Sequence, residues 1–558
     1  MTKLRTLRLL PSFALAACGG GTDAAPAAAA GESGGTIVIA TPGEPDNLLP
    51  AITSTQSGRQ VEDLVFQHLA DIGTGLNTVG DGGFTPNLAR SWEWAADSMS
   101  IAFRLDPDAR WHDGVAVRAA DVAFTFALYV DPATASPAAP ELANVDSVSV
   151  RDSLTAVVWF KSRKPEQFFS IAHQIHVLPR HLLDTLDRRR LASSAFATQP
   201  VGSGPFRVVR WQIGQRLELA ADTTGGRRRA RLDRVVYSMA PDPVTAFTRV
   251  ATGEADVFEA VRPDKVVVVA GNAQLRLVMM PSLDYSYLGF NLVQRGTDRP
   301  HRIFGDRIVR RALTLATDRR AIVANIYDTL AVQARGPFTA AQASNDPSLK
   351  ALPYSADSAN VLLDAAGWTR GADSIRRRSG TPLSFGIIVT STSVARMRAA
   401  VLLQEQFRRV GADVRIEATD MPGFLSRMKS GAFDAVLGAW TPDPGPGSVR
   451  NEWSSSASKG GNNYGAYRSV AFDAQVDSGL ATFAPAEMRA HFATAWRIIG
   501  DDAPAIWLAE PRRVMAVHKR IVTTGMRTDA WWAGIAQWHI PADQRIARDL
   551  PQPAGAAR

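Results

Sequence analysis

The stretch GAWTPDPGPGSVRNEW, residues 438 to 453, holds the residues best placed to do chemistry. Trp440 and Asp443 fall at the C-terminal end of a predicted strand, where α/β sheets present their ligands. Pro442 and Pro444 fix φ on either side of Asp443, so the carboxylate sits on a stiff loop with little ordering entropy left to lose on binding. An anion held in a closing cleft calls for a cationic partner, and a ligand ammonium would serve. The same residues also suit a solvated Asp in an ordinary Pro-Gly turn. Other candidates are weaker. Gly31-Glu32-Ser33-Gly34-Gly35 matches the G-x-S-x-G pattern of a hydrolase nucleophile, but that mechanism needs the serine on a sharp strand-to-helix turn, and Ser33 precedes the first predicted strand. His173, His176 and His181 form the densest histidine group, and His173 and His176 could share a helical face. No Cys, Asp or Glu stands beside them before Asp184, so they read as packed or surface residues and no metal site is expected. Gly202-Ser203-Gly204-Pro205 lacks the spacing of a phosphate-cradling loop. With no catalytic constellation in view, neither an enzyme nor a cofactor is expected.

Cys18, the one cysteine in 558 residues, can form neither a disulfide nor a structural zinc site within one chain. Lys3, Arg5 and Arg8 precede it without an acid, followed by an apolar run from Leu9 to Ala17 that is about half a bilayer span. Residues 1–17 therefore read as an export signal. Leu15-Ala16-Ala17-Cys18 resembles the lipobox of bacterial lipoproteins, which implies that Cys18 is lipidated and becomes the first mature residue. An ordinary signal peptide with a chance Cys is the alternative. The Gly/Ala/Pro/Ser-rich run to Gly35 reads as a flexible tether, 18–35, between anchor and folded body.

Those candidates must be positioned by the elements that follow. A hydrophobic fraction of 46% with 21% charged residues is that of a globular protein with a large core. Net charge is a mild +8, and the clusters Arg188-Arg189-Arg190, Arg227-Arg228-Arg229 and Arg376-Arg377-Arg378 have no interleaved aromatics, so nucleic acid is not an expected partner. TIVIA reads as a strand at 36 to 40, and Val61, Leu64, Val65, Leu69 and Ile72 recur at helical spacing. DRIVRRALTLATDRRAIVANIY, 306 to 327, reads as one long amphipathic helix, and 357 to 368 as a helix stopped by Gly367. From 383 to 440 the pattern is β, α, β, α, β, which argues for α/β architecture.

Taken in order, GGTIVIATPGEPDNLLP, PNLARSWEW, FRLDPDARWHDG, AADVAFTF, VGSGPF, ATGEADV, YLGFNL, DRIVRRALTLATDR, LLDAAGW, GAFDAVLGAW and DDAPAIW resemble the family 5 extracellular solute-binding proteins, the oligopeptide- and dipeptide-type receptors of bacterial ABC importers. The resemblance implies an α/β, two-lobed periplasmic-binding-protein fold with an extra inserted domain near the N-terminus. Lobe I would comprise 36–70, 183–282 and 510–558, the extra domain 71–182, and lobe II 283–509. It also implies a monomer without cofactor that captures peptides in the cleft and hands them to a permease in the inner membrane, held by its lipid on the periplasmic or cell-surface face. Asp443 would receive the peptide ammonium, with Trp440 lining the pocket. By position, Ser54, Thr55, Gln56, Tyr285, Tyr287 and Asn291 would stand at the cleft. TPDPGPG has only one Asp-Pro where the family often has a second, so Asp443 could instead match that second acid after a deletion. A non-peptide solute on the same fold is the alternative ligand: extra His in the cleft would favour a metal chelate, surplus Trp and Asn a glycan. An exported hydrolase on this scaffold would need a nucleophile and base that the sequence does not display.

Overall fold

The strand Thr36–Thr41 is buried along nearly its whole length and pairs in parallel with Arg234–Met239, as expected of an apolar run inside an α/β sheet. A computed structural model of the chain describes residues 34–224 and 229–550, so Cys18 with its lipobox-like neighbours, Ser33, Arg227 and Arg228 lie outside it. Thr36–Thr41 is the middle of a seven-stranded sheet ordered 275–280, 513–518, 257–258, 36–41, 234–239, 216–221 and 206–212. A second, six-stranded sheet is ordered 331–333, 505–511, 285–290, 435–440, 384–390 and 413–419. Each sheet anchors one α/β lobe. The chain passes between them twice, at 281 to 284 and at Arg512, and the two passages are tied where Ser282 Oγ donates to the Pro511 carbonyl at 2.6 Å. The expected boundary at 509/510 cuts a strand short: Ala505–Pro511 stays in the second sheet to its end because Glu510 and Pro511 pair with Val332 and Ala331.

The inserted region folds around a four-stranded antiparallel sheet, 89–94, 100–105, 155–160 and 145–152. Its buried Phe103, Trp111 and Phe168 belong to the same apolar cluster as Leu64, Phe66, Trp531 and Trp538 of the first lobe. One continuous core makes the insertion an extension of that lobe. Polar pins complete the first sheet. Arg520, nearly fully buried, donates to both carboxylate oxygens of Asp256 at 3.0 Å and to Asp549 at 2.5 Å, while Asp256 and Asp549 accept from Val38 N and Thr36 N. The C-terminal segment is thereby locked to the first strand.

Local reading differs from structure in three places. The helical spacing that continues to Ile72 ends as a helix at Val65, because Ala70 and Ile72 bury themselves in a strand, Ala70–Ile72, paired with Phe84–Pro86. The helix expected over 306 to 327 is two, Arg307–Ala316 and Arg319–Ile326, because Asp318 turns its carboxylate to the Ala321 N–H and caps a new helix. His173 and His176 share no helical face, since the helix Gln167–Ala172 ends just before them.

Two arginines of the 376–378 cluster are structural. Arg376 is buried against the Val410 carbonyl and Asn360, and Arg378 lies over the Trp368 ring at 5.0 Å while pairing with Asp306 at 2.6 Å. No helix among the described residues is long and apolar enough to cross a membrane.

Candidate functional site: the cleft between the lobes

Asp443 follows the strand Ala435–Trp440, which runs antiparallel to Tyr285–Phe290 in the centre of the second sheet. The loop that carries it is fixed at both ends. Thr441 Oγ1 donates to Asp284 Oδ1 at 2.6 Å, on one of the two passages between the lobes, and Gln342 Nε2 donates to the Asp443 carbonyl at 3.2 Å. Among the described residues the Asp443 carboxylate accepts no hydrogen bond. It is open to water, yet protein of both lobes surrounds it, and this enclosure raises its pKa, with the Arg59 charge acting in the opposite sense. Asp443 thus faces a cleft of about 480 Å³ whose far wall is built by the first lobe and its insertion.

That wall is set by the helix Gln56–Val65. Thr55 caps it, accepting from Gly58 N at 3.2 Å and donating to Asp46 at 2.8 Å, while Ser54 donates to the same Asp46 from its backbone and its hydroxyl. Ser54 and Gln56 line the cleft; the Thr55 side chain is spent on the cap. Arg59, Glu62 and Asp63 follow on the same helix and line the cleft too. Burial pushes the Glu62 carboxyl up to about 8 against a hydrogen bond from Thr53. His68, His173 and His176 close the floor, where His176 Nε2 lies 2.9 Å and His68 Nε2 3.4 Å from Asp63 Oδ1. Sequence spacing pairs His173 with His176 but does not bring in the acid, which lies 113 residues from His176. With Glu62 largely protonated near neutral pH, the carboxyl groups of Asp63, Glu141, Asp443 and Asp529 still outnumber the guanidinium groups of Arg59 and Arg527, so the cleft favours a cationic ligand.

The other expected residues lie elsewhere. Tyr285 is fully buried in the second lobe, donating to Glu452 at 2.6 Å and accepting from Trp453 at 3.0 Å. Tyr287 is also buried and stacks on Trp440 at 6.4 Å, and Trp440 stacks in turn on Tyr464 at 6.2 Å. Trp440 therefore closes an aromatic stack in its own lobe and does not line the cleft with Asp443. Asn291 sits beyond the far end of the strand, its amide bound to the Gly431 and Phe433 carbonyls. Period-two alternation explains these placements, because Tyr285 and Tyr287 share the face that packs inward.

The lobes also touch beyond the cleft. The inserted domain's Glu166, held by Thr78 at 2.6 Å, lies so close to the Asp443 loop that a Cβ on Gly445 would stand 2.3 Å from its Oε1. Arg163 lies over the ring of Phe483 at 4.3 Å, and Val79 is buried in the second lobe's apolar cluster.

Two α/β lobes, two chain passages and a polar cleft between them define the class of bilobal solute-binding proteins. The chain belongs to the bacterial extracellular solute-binding proteins, family 5, whose middle-region profile matches residues 83–462. Membership makes it an extracytoplasmic substrate-binding component of an ABC transporter and not an enzyme. It is 24% identical over 529 residues to the oligopeptide-binding protein AppA of Bacillus subtilis, covering 93% of this chain and 94% of that one. A solved structure of Bacillus subtilis AppA in complex with a nonapeptide matches with a TM-score of 0.75 at 22% identity, over 91% of this chain and 99% of that one. NikZ from Campylobacter jejuni, solved in complex with Ni(L-His), matches with a TM-score of 0.75 at 23% identity, over 90% and 99%. These structures share the fold.

Proposed function

We propose that the protein captures peptides in the interlobe cleft and delivers them to a membrane permease, with Asp443 receiving the peptide ammonium. The observation that carries this reading is the Asp443 carboxylate itself: enclosed by both lobes, held on a Pro-bracketed loop, and without a hydrogen-bond partner among the described residues. A peptide α-ammonium satisfies all its needs at once, while the main chain of an extended ligand pairs with cleft backbone irrespective of side chains. Thr441 links that loop to a passage between the lobes, so occupation of Asp443 is felt where the lobes hinge. Lipidation at Cys18 would hold this monomeric receptor at the membrane beside its permease. The AppA complex with a nonapeptide supports the peptide reading by likeness.

A second reading, a metal chelate as the solute, draws on His68, His173 and His176 in the cleft and on the likeness to NikZ.

Calorimetric titration of the full chain with short peptides tests the first. Asp443→Asn should weaken binding by about 10- to 100-fold, the value of one charged hydrogen bond. N-acetylated peptide should lose the same factor on the parent protein and nothing further on the variant. Equal affinity for free and acetylated peptides would sink the ammonium assignment.

A further inference from the structure

We propose that Asp63, His68 and His176 form a binding site for one divalent first-row transition-metal ion of the Zn2+ or Ni2+ kind, with an open coordination position toward the cleft. The three donors come from a helix, the segment after it and a distant loop, yet their ligand atoms all lie within 4.8 Å of one another. Asp63 Oδ1 is 2.9 Å from His176 Nε2 and 3.4 Å from His68 Nε2. Donors sharing an ion at about 2.0–2.1 Å stand roughly 3 Å apart, so only a small outward shift admits the ion. The outer partners are already those a metal site requires. His68 Nδ1 lies 3.0 Å from the Ile175 carbonyl and donates its proton there, so Nε2, which faces Asp63, is the ring nitrogen that takes the ion once it gives up any proton shared with that carboxylate. Trp532 Nε1 donates to Asp63 Oδ2 at 2.6 Å, fixing the carboxylate and leaving Oδ1 for the ion.

The surroundings suit a cation as well. Asp63 lies in the last turn of Gln56–Val65, where the helix dipole favours positive charge. Arg527, which lines the same cleft, is engaged with Asp529 through bonds of 3.0 and 2.9 Å. His173 packs against His68, the ring centres 4.5 Å apart and the planes tilted, but points its Nδ1 at the Ala70 carbonyl, so it supports the site without ligating. Two imidazoles and one carboxylate select Zn2+, Ni2+ or Cu2+ over Mg2+ and Ca2+. Three protein donors leave a position free, and the site opens on the 480 Å³ cleft across which Asp443 stands. This site differs from the chelate reading, because here the protein supplies the donors and no organic chelator is needed.

The test uses the full chain stripped with EDTA and dialysed, titrated with Zn2+ alone and Ni2+ alone, with bound metal counted by elemental mass spectrometry. One ion per chain is expected, with affinity lowered at least about 100-fold in His68→Gln and in His176→Gln and unchanged in the control His181→Gln. Visible spectra of the parent protein loaded with Co2+ need no variant and should show the intense bands of a low-coordinate site. Absent bands, no sub-millimolar Zn2+ or Ni2+ binding, or binding that survives both His variants would overturn the proposal. Uptake of Ni2+ only in the presence of added L-histidine would overturn it in favour of the chelate reading.

Discussion

Glu62 and Glu452 are two of the residues through which pH acts on this molecule. Burial pushes each carboxyl up to about 8, against hydrogen bonds from Thr53 and Tyr285 respectively. A folded-state pKa above the unfolded value means the native state binds more protons, so these groups favour folding below the ordinary value of 4.5 and lose that contribution as pH rises through about 8. Stability, and with it the melting temperature, should therefore fall across that window, and Glu62→Gln should flatten the fall in stability by up to about 5 kcal/mol. A profile unchanged by the substitution would show that Glu62 is charged in the native state. Residues also differ in how legible they were. Asp443 could be singled out because its constraint is local, a proline on each side. The floor of the cleft could not, since Asp63, His68 and His176 are brought together only by tertiary packing across 113 residues. Position alone puts Tyr285 and Asn291 at the cleft, whereas the buried bond of Tyr285 to Glu452 and that of Asn291 to the Gly431 carbonyl hold them within the second lobe.

Elements were legible wherever a cap or a turn residue marked their limits. LSFGIIVT, the helix after it and the strands that follow match Ser384–Thr390, Val394–Arg409, Asp413–Thr419 and Ala435–Trp440. Periodicity misled where an apolar run served two elements in succession, as at Val65 and Thr317. The motif VGSGPF shows why an element can demand glycine. Gly204 N donates to the Val65 carbonyl at 2.8 Å, and a Cβ on Gly202 would stand 1.8 Å from that same oxygen. His112 of the motif WHDG joins the contact, accepting from Gly202 N at 3.1 Å and bonding the Gly204 carbonyl at 3.0 Å. Two distant motifs thus meet at the end of the helix that walls the cleft. Gly202→Ala should destabilise the protein by about 1–3 kcal/mol in urea unfolding through overpacking. A smaller loss would mean that the helix end can shift to make room.

At the scale of the molecule, the contact between the Asp443 loop and Glu166 is what a closed form must preserve. Gly445→Val would fill the space that Glu166 occupies while leaving both cores intact. Small-angle scattering should then show a larger radius of gyration with peptide present than for the parent protein, and affinity should fall about tenfold as the closed population shrinks. Unaltered compaction would mean that this contact is incidental to closure. The paired sheets have one more consequence, which concerns the order in which the chain is made. Residues 505 to 518 supply an interior strand to each sheet, 505–511 between 331–333 and 285–290, and 513–518 between 275–280 and 257–258. A nascent chain that has not reached them therefore carries two split sheets with bare edges, however much of its sequence has emerged. Neither lobe can mature ahead of the other, and premature termination anywhere upstream yields no usable half.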